Sequence, residues 1–194
     1  MTDAAWLRSL PSLSGDAPAL DLHLLPADPA ALFGEWLSDA VARGVPEPHA
    51  MTLATVDADG MPDARTLILK DVSERGWAFA GHVRSAKARQ LAANPAAALT
   101  FWWQPIVRAV RVRGRVVPAS ESESAADLAA RSAAARAGIA PGEWMLWRVV
   151  PERVEFWQGR VDRNHVRIVF RLGAGGWSHD VLRAEAAADE EEIG

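Results

Sequence analysis

The chain has 194 residues, 49% of them apolar, with a formal net charge of −4 and neither cysteine nor tyrosine. That length suits one domain of roughly 100–200 residues, and so much apolar side chain excludes disorder of the whole chain. The missing cysteines exclude disulfides, thiolate nucleophiles and Cys-ligated metals and fit a reducing, cytoplasmic compartment, while the acidic balance argues against a nucleic-acid partner.

Residues 1–27 carry scattered Pro, Ser and Leu without a period and read as an extended N-terminal arm, a candidate for packing on a partner subunit. They lack the basic start and apolar run of a signal peptide, and no stretch of the chain nears the ~18 apolar residues of a membrane span. Asp28-Pro29 opens a helix, since Asp caps and Pro suits the first helical position. Leu32, Trp36, Leu37 and Ala40 form its apolar stripe, and Gly44 ends it. Strands are expected at Met51 to Val56, Ala64 to Lys70 and Trp77 to Gly81. Short turns join them, the first being Asp57-Ala58-Asp59-Gly60. Ser85 caps a short helix that stops before Pro95, and Ala97 to Trp103 is again a strand. Val110, Val112 and Val116 alternate with Arg111, Arg113 and Arg115, the period-two mark of one buried and one polar face. Ser120 and Glu123 form a capping box before an Ala-rich helix that ends near Gly138. Strands at Val154 to Trp157 and Val166 to Leu172 complete the set. At least six strands with few helices imply a closed or nearly closed antiparallel barrel, because closure removes exposed edges. Residues 28–184 read as one domain, and 185–194 as an acidic, disordered tail.

The charge is uneven. Arg65 to Arg115 holds ten Lys or Arg and only two acids, Asp71 and Glu74. A basic stretch in an acidic chain points to a small anionic ligand, although a solvated basic face has the same composition. Arg65 and Lys70 stand at the two ends of one strand and on opposite faces of it. Charged ends are also what a strand emerging at the surface shows. Ser85, Lys87 and Arg89 lie at a helix start, where N–H groups, a hydroxyl and a cation make a plausible phosphate site. Arg163, His165 and Arg167 share a face if their segment is extended, and two fixed cations would favour a neutral imidazole able to hydrogen-bond or accept a proton. A rim of surface charges is the plainer reading. The other histidines show no paired spacing, so no metal site is expected.

In their order these segments resemble the pyridoxamine/pyridoxine 5'-phosphate oxidase family. Glu47 to Asp57 resembles the start of its barrel, Arg65 to Lys70 its flavin-binding strand, and Ser85-Ala86-Lys87 its Ser-Arg-Lys phosphate segment. Val154-Glu155-Phe156-Trp157-Gln158-Gly159 is close to its most distinctive string, and Arg163-Asn164-His165 resembles its Arg-Leu-His motif. The resemblance implies a mainly β fold with peripheral helices, a six-stranded antiparallel split β-barrel that binds FMN as a homodimer with shared active sites. It places Arg65, Thr66, Leu67, Ile68, Leu69, Lys70 and Gly81 along FMN, Ser85 and Lys87 on its phosphate, and Trp157 and Arg167 against the flavin from the partner subunit. Arg163 and His165 are the implied catalytic pair, and with Lys70 and Arg131 they hold the substrate. The implied reaction takes a hydride from C4' of pyridoxamine or pyridoxine 5'-phosphate to the flavin, with oxygen reduced to peroxide, giving pyridoxal 5'-phosphate.

The chain departs from the family pattern at several of these positions. Ala86 replaces an Arg, Ala109 a flavin-contacting Gln, Asp127 falls near a phosphate-binding Tyr, and Ala135 replaces a Ser. A segment with a Gln-Ser flavin contact is missing between about Ala140 and Glu143. The eroded phosphate site leaves two other readings open. One is a related FMN oxidase of another small, phosphorylated or carboxylated substrate, such as a dihydrophenazine carboxylate. The other is a non-catalytic flavin-binding protein.

Overall fold

The computed structural model describes residues 3–183, so the tail expected at 185–194 lies outside the described residues. In chain order the elements are α1 (Ala4–Ser9), α2 (Pro29–Ala42), β1 (Ala50–Val56), β2 (Pro62–Ile68), β3 (Asp71–Ser73), β4 (Gly76–His82) and α3 (Ala86–Ala93). There follow β5 (Ala96–Trp103), a 3-10 turn (Gln104–Ile106), β6 (Arg108–Pro118), α4 (Glu121–Ala129), α5 (Ala133–Arg136), β7 (Trp144–Gln158), β8 (Val166–Gly173) and β9 (Gly176–Arg183). The antiparallel, mainly β expectation holds. Among the described residues the strands number nine, the seven segments read from the sequence plus the unforeseen β3 and β9, against the six of the implied barrel, and the sheet does not close.

One path runs β2-β1-β5-β6-β7-β4-β3, and β8 and β9 branch from β7. The branch arises because β7 is long. Its first half, Trp144 to Val149, pairs with β4, and its second half, Arg153 to Gln158, pairs with β8, while β6 follows both halves. A register shift between Arg113 and Gly114 bends the β6–β7 ladder where the halves part. A Cβ on Gly114 would overlap the Val150 carbonyl, so the close approach requires glycine.

Helix α2 fills the concave side. Asp28 accepts a hydrogen bond from the Ala30 N–H at 3.0 Å and Pro29 stands in the first turn, as the capping chemistry predicts. Leu32, Phe33, Trp36 and Ala40 are buried from this helix. Phe33 meets Trp77 at 4.3 Å and Phe101 at 4.9 Å between ring centroids, and Trp36 meets Phe156 edge-on at 5.1 Å. Arg108, from β6, is buried over the Trp36 ring and paired with Asp39 at 2.9 Å, and burial lowers its pKa to about 10.

Residues 3–27 contain one short helix, and part of the segment after it touches its own sheet. The Asp16 N–H donates to the Pro105 carbonyl at 2.9 Å and Gln158 Nε2 to the Pro18 carbonyl at 2.9 Å, while Leu20, Leu22 and Leu25 pack on the core. The Ala-rich helix expected to reach Gly138 is instead two helices. Ser132 caps α5 through the Ala135 N–H and interrupts the run.

Candidate functional site

Strand β2 divides its side chains as a pleated strand must. Leu67, and Leu69 just beyond the strand, are half-buried and pack against the core. Thr66 is exposed and Ile68 half-buried on the opposite face. Arg65 turns inward, where its guanidinium donates to Thr55 Oγ1, to Gln90 Oε1 at 2.8 Å and to Asp63 Oδ2 at 2.7 Å. Gln90 reaches this cluster from α3.

The same helix brings up Lys87. Ser85 caps α3, and its hydroxyl also accepts from Lys87 Nζ at 3.2 Å. Lys87 is 8% exposed, with its ammonium 5.9 Å from the centre of the Trp147 ring. Burial lowers its pKa, and the neighbouring Arg65 guanidinium lowers it further. Gly81 makes room for it: a Cβ there would collide with Lys87 Nζ and lie 2.5 Å from Cε. Among the described residues Lys87 has no acidic partner. Two cations crowded together beside a hydroxyl, at the start of an eight-residue helix, fit an anion such as a phosphate.

A second cluster lies beside the first. Lys70 follows β2, and its backbone N–H donates to the Ala78 carbonyl at 2.8 Å. Its ammonium stands 3.8 Å from Asp127 Oδ1 on α4, and Trp144 Nε1 donates to Asp127 Oδ2 at 2.7 Å. The Arg131 guanidinium lies over the Trp144 ring at 4.4 Å. Helix α4 is fixed from below by Arg148, which is buried and pairs with Glu123 at 3.0 Å and Asp71 at 2.6 Å.

Arg163, His165, Trp157 and Arg167 form a third cluster at the other end of β7. Arg163 and His165 are not on an extended segment as expected. They occupy the turn before β8, where Arg163 has φ +65°, so Arg163, His165 and Arg167 do not share one strand face. The Arg160 N–H donates to His165 Nδ1 at 3.1 Å, which leaves Nε2 as the protonated nitrogen of a neutral ring. The His165 ring lies 5.1 Å from the Trp157 ring, and Trp157 pairs across the ladder with Arg167. Arg167 Nε meets Glu155 at 3.2 Å. Trp102, half exposed, stands 6.1 Å from Trp157 and faces Ala109 across the β5–β6 ladder.

The structure thus groups Arg65, Gly81, Ser85 and Lys87, sets Lys70 with Arg131, and holds Arg163, His165, Trp157 and Arg167 apart. Trp144 opens β7 and Trp157 nearly closes it, so at ~3.3 Å per residue roughly 40 Å of strand lies between them. Trp144, Trp147, Gln90 and Trp102 escaped sequence reasoning. The two tryptophans of the first half of β7 had one available signal, their spacing of three before a Val pair, but it matches no strand alternation.

Comparison with known proteins bears on these clusters. Residues 37–158 match the profile of pyridoxamine 5'-phosphate oxidase, and residues 144–184 match that of the pyridoxine 5'-phosphate oxidase C-terminal dimerisation region. A pyridoxine/pyridoxamine 5'-phosphate oxidase of Bradyrhizobium diazoefficiens is 37% identical across 92% of this chain and 97% of its own. One from Cupriavidus necator is 42% identical across 77% of this chain and 85% of its own. Among solved structures, PhzG from Burkholderia lata 383, in complex with tetrahydrophenazine-1-carboxylic acid, superposes with a TM-score of 0.79 at 26% identity. That likeness covers 87% of this chain and all of PhzG. A pyridoxamine 5'-phosphate oxidase-related, FMN binding protein from Nostoc punctiforme shares the fold, with a TM-score of 0.68 at 20% identity over 81% of this chain and 99% of its own.

Proposed function

The chain belongs to the pyridoxamine 5'-phosphate oxidase family, and from that premise we propose that it is an FMN-dependent oxidase of pyridoxamine or pyridoxine 5'-phosphate, acting as a cytoplasmic homodimer. The observation that carries the reading is the Arg65–Lys87 pair. Arg65 is matched by Asp63, but Lys87, buried beside that guanidinium and lacking an acidic partner among the described residues, costs folding energy unless an anion joins it. A flavin phosphate is that anion. Ser85 and Lys87 hold it, and Gly81 leaves the space in which Lys87 reaches it. The exposed face of β2, with Thr66 and Ile68, would hold the ring system. When bound, FMN supplies the two-electron acceptor for a hydride from the substrate.

The chain's own residues bind and orient the substrate. Lys70 and Arg131 take its phosphate. His165, with Nδ1 engaged by the Arg160 N–H, presents Nε2–H as a donor, and Arg163 offers a second one. Because Arg163, His165, Trp157 and Arg167 stand at the far end of β7 from Lys70 and Lys87, one chain does not complete a site. A second copy supplies them, which agrees with the dimerisation-region match. The sheet face offered to that copy carries small side chains, with Thr52 and Ala54 beside Thr66, Ala64, Ala98 and Thr100.

The test is the visible spectrum of the FMN-loaded protein on anaerobic addition of pyridoxine 5'-phosphate. Bleaching of the flavin is expected. Arg163→Ala and His165→Ala should slow bleaching at least ~100-fold while FMN stays bound, as expected for loss of donors acting on the reacting group. A flavin that stays oxidised in the unmodified protein would overturn the substrate, and loss of FMN from both variants would move the two residues into the cofactor site.

A further inference from the structure

Trp102 breaks a run of small side chains. On the outer face of β5 it follows Ala96, Ala98 and Thr100, while its neighbours Phe101 and Trp103 turn into the core. Trp102 itself is 50% exposed. The ladders set it in a row that crosses four strands. Trp102 pairs with Ala109 of β6, Ala109 with Trp157 of β7, and Trp157 with Arg167 of β8. Cross-strand partners project from one face of a sheet, so these four side chains share the outer face.

The strands that carry the two tryptophans are two inter-strand spacings apart, roughly 9.6 Å. Their ring centroids are only 6.1 Å apart, so the indoles lean together over the methyl of Ala109. A longer side chain at that position would separate them. The His165 ring, 5.1 Å from Trp157, continues the same aromatic surface. Arg167 ends the row, its Nε tied to Glu155 at 3.2 Å, and offers guanidinium donors beside the rings. An aromatic surface with a cation at its rim suits a flat ring system that carries carbonyl oxygens. Another polypeptide suits it less. Thr52, Ala54, Ala98 and Thr100, on the same face, are too small to enclose an indole of a second copy.

We infer that Trp102 is a second flavin-contacting tryptophan: with Trp157 it covers the isoalloxazine ring of the FMN held by the other copy. That ring is longer than a single indole, so Trp157 alone leaves part of it bare. The inference rests on the proposed FMN site shared between two copies, and it adds to that site a binding residue the proposal does not require.

FMN titrated into the unmodified protein, Trp102→Ala and Trp102→Phe tests it. Three quantities are read from each: the FMN dissociation constant by flavin fluorescence, the visible spectrum of the bound flavin, and the dimer by sedimentation. Trp102→Ala should remain a dimer and bind FMN about 10-fold more weakly, the scale of one aromatic contact together with the area it buries. Its bound flavin band should move toward that of free FMN. Trp102→Phe keeps an aromatic ring and should stay within about 3-fold of the unmodified protein. A dimeric Trp102→Ala with unchanged affinity and an unchanged flavin band overturns the inference and leaves the FMN site standing. A monomeric Trp102→Ala overturns it too, since the indole would then be a contact between subunits. An equal loss in Trp102→Phe also counts against it, because an aromatic ring would not be what the site requires. An unmodified protein that binds no FMN, or binds it as a monomer, overturns the shared site and the inference with it.

Discussion

Replacing Gly81 by alanine should separate cofactor binding from folding. The new methyl would occupy the space of the Lys87 terminus, colliding with Nζ and lying 2.5 Å from Cε. Lys87 ends in a flexible chain, so it yields and the β4 backbone does not. Gly81 has no positive φ, and Gly→Ala at such a site stabilises a fold by about 0.4–1 kcal/mol through the unfolded chain. On the proposed placement the displaced ammonium, by contrast, would forfeit a charged hydrogen bond to the flavin phosphate, worth about 1.5–3 kcal/mol. That is a loss of FMN affinity of roughly 10- to 150-fold. Quenching of FMN fluorescence on titration gives the dissociation constant, and urea unfolding of the cofactor-free protein gives stability. Lys87→Ala should weaken FMN to a similar degree, and adding Gly81→Ala to it should cost little more, because both remove the same contact. Unchanged affinity in Gly81→Ala refutes the placement of Lys87 on the phosphate. Fully additive losses in the double variant refute the idea that the two residues act through one contact.

The lowered pKa of Lys87 gives a pH signature. Its folded ammonium loses its proton at a lower pH than the unfolded chain does, so FMN affinity should fall as pH rises toward 10.5. The flavin phosphate is already a dianion above pH ~7 and does not contribute to the change. Lys87→Arg should flatten the profile, and an equally steep profile in that variant assigns the titration to another group. Glu123 predicts the opposite limb. Its pKa is lowered to about 2, first by the Ser120 N–H, then by the Ser120 hydroxyl and by Arg148. A depressed carboxyl stabilises the fold above its unfolded value near 4.5, and the gain is lost as pH falls toward 2. Glu123→Gln should therefore be less stable than the unmodified protein at pH 7 and close to it at pH 2.5, by urea unfolding followed through tryptophan fluorescence. Parallel curves at both pH values would remove Glu123 from the acid response.

What could be read in the sequence was chemistry that acts over a few residues. Asp28, Ser85 and Ser120 cap the helices expected of them, because a cap needs only its own first turn. Val110 and Val112 are buried and Arg111 and Arg113 exposed, as alternation requires. The first half of β7 was missed because Leu146, Trp147, Arg148 and Val149 are all buried in succession, which erases the period of two. Strand β9 was missed for the opposite reason: nearly all its side chains are exposed, so no buried face marks it. Ser132 hid its capping role inside an alanine run. In the site, residue types were visible but not their partners. Nothing local joins Lys70 to Asp127, fifty-seven positions away, or gives Arg163 its left-handed turn.

The long β7 explains why the charged and aromatic halves of the site stand apart within one chain. A strand shared by two half-sheets must bend, and the bend needs Gly114, whose missing Cβ lets β6 pass over the Val150 carbonyl. Beyond that point the strand pairs with β8 and carries Trp157 and the turn of Arg163 and His165. Before it the strand pairs with β4 and carries Trp144 and Trp147, which support Arg131 and Lys87. Neither half can fold back on the other without breaking the β6–β7 ladder, the longest in the sheet. On the proposed reading, two copies laid face to face in opposite directions would bring the aromatic end of each chain to the cationic end of the other. On that reading dimerisation is a condition for assembling a site as well as a way to cover the sheet. Loss of the dimer should accordingly abolish flavin reduction by substrate even where the Arg65–Lys87 half still binds the phosphate.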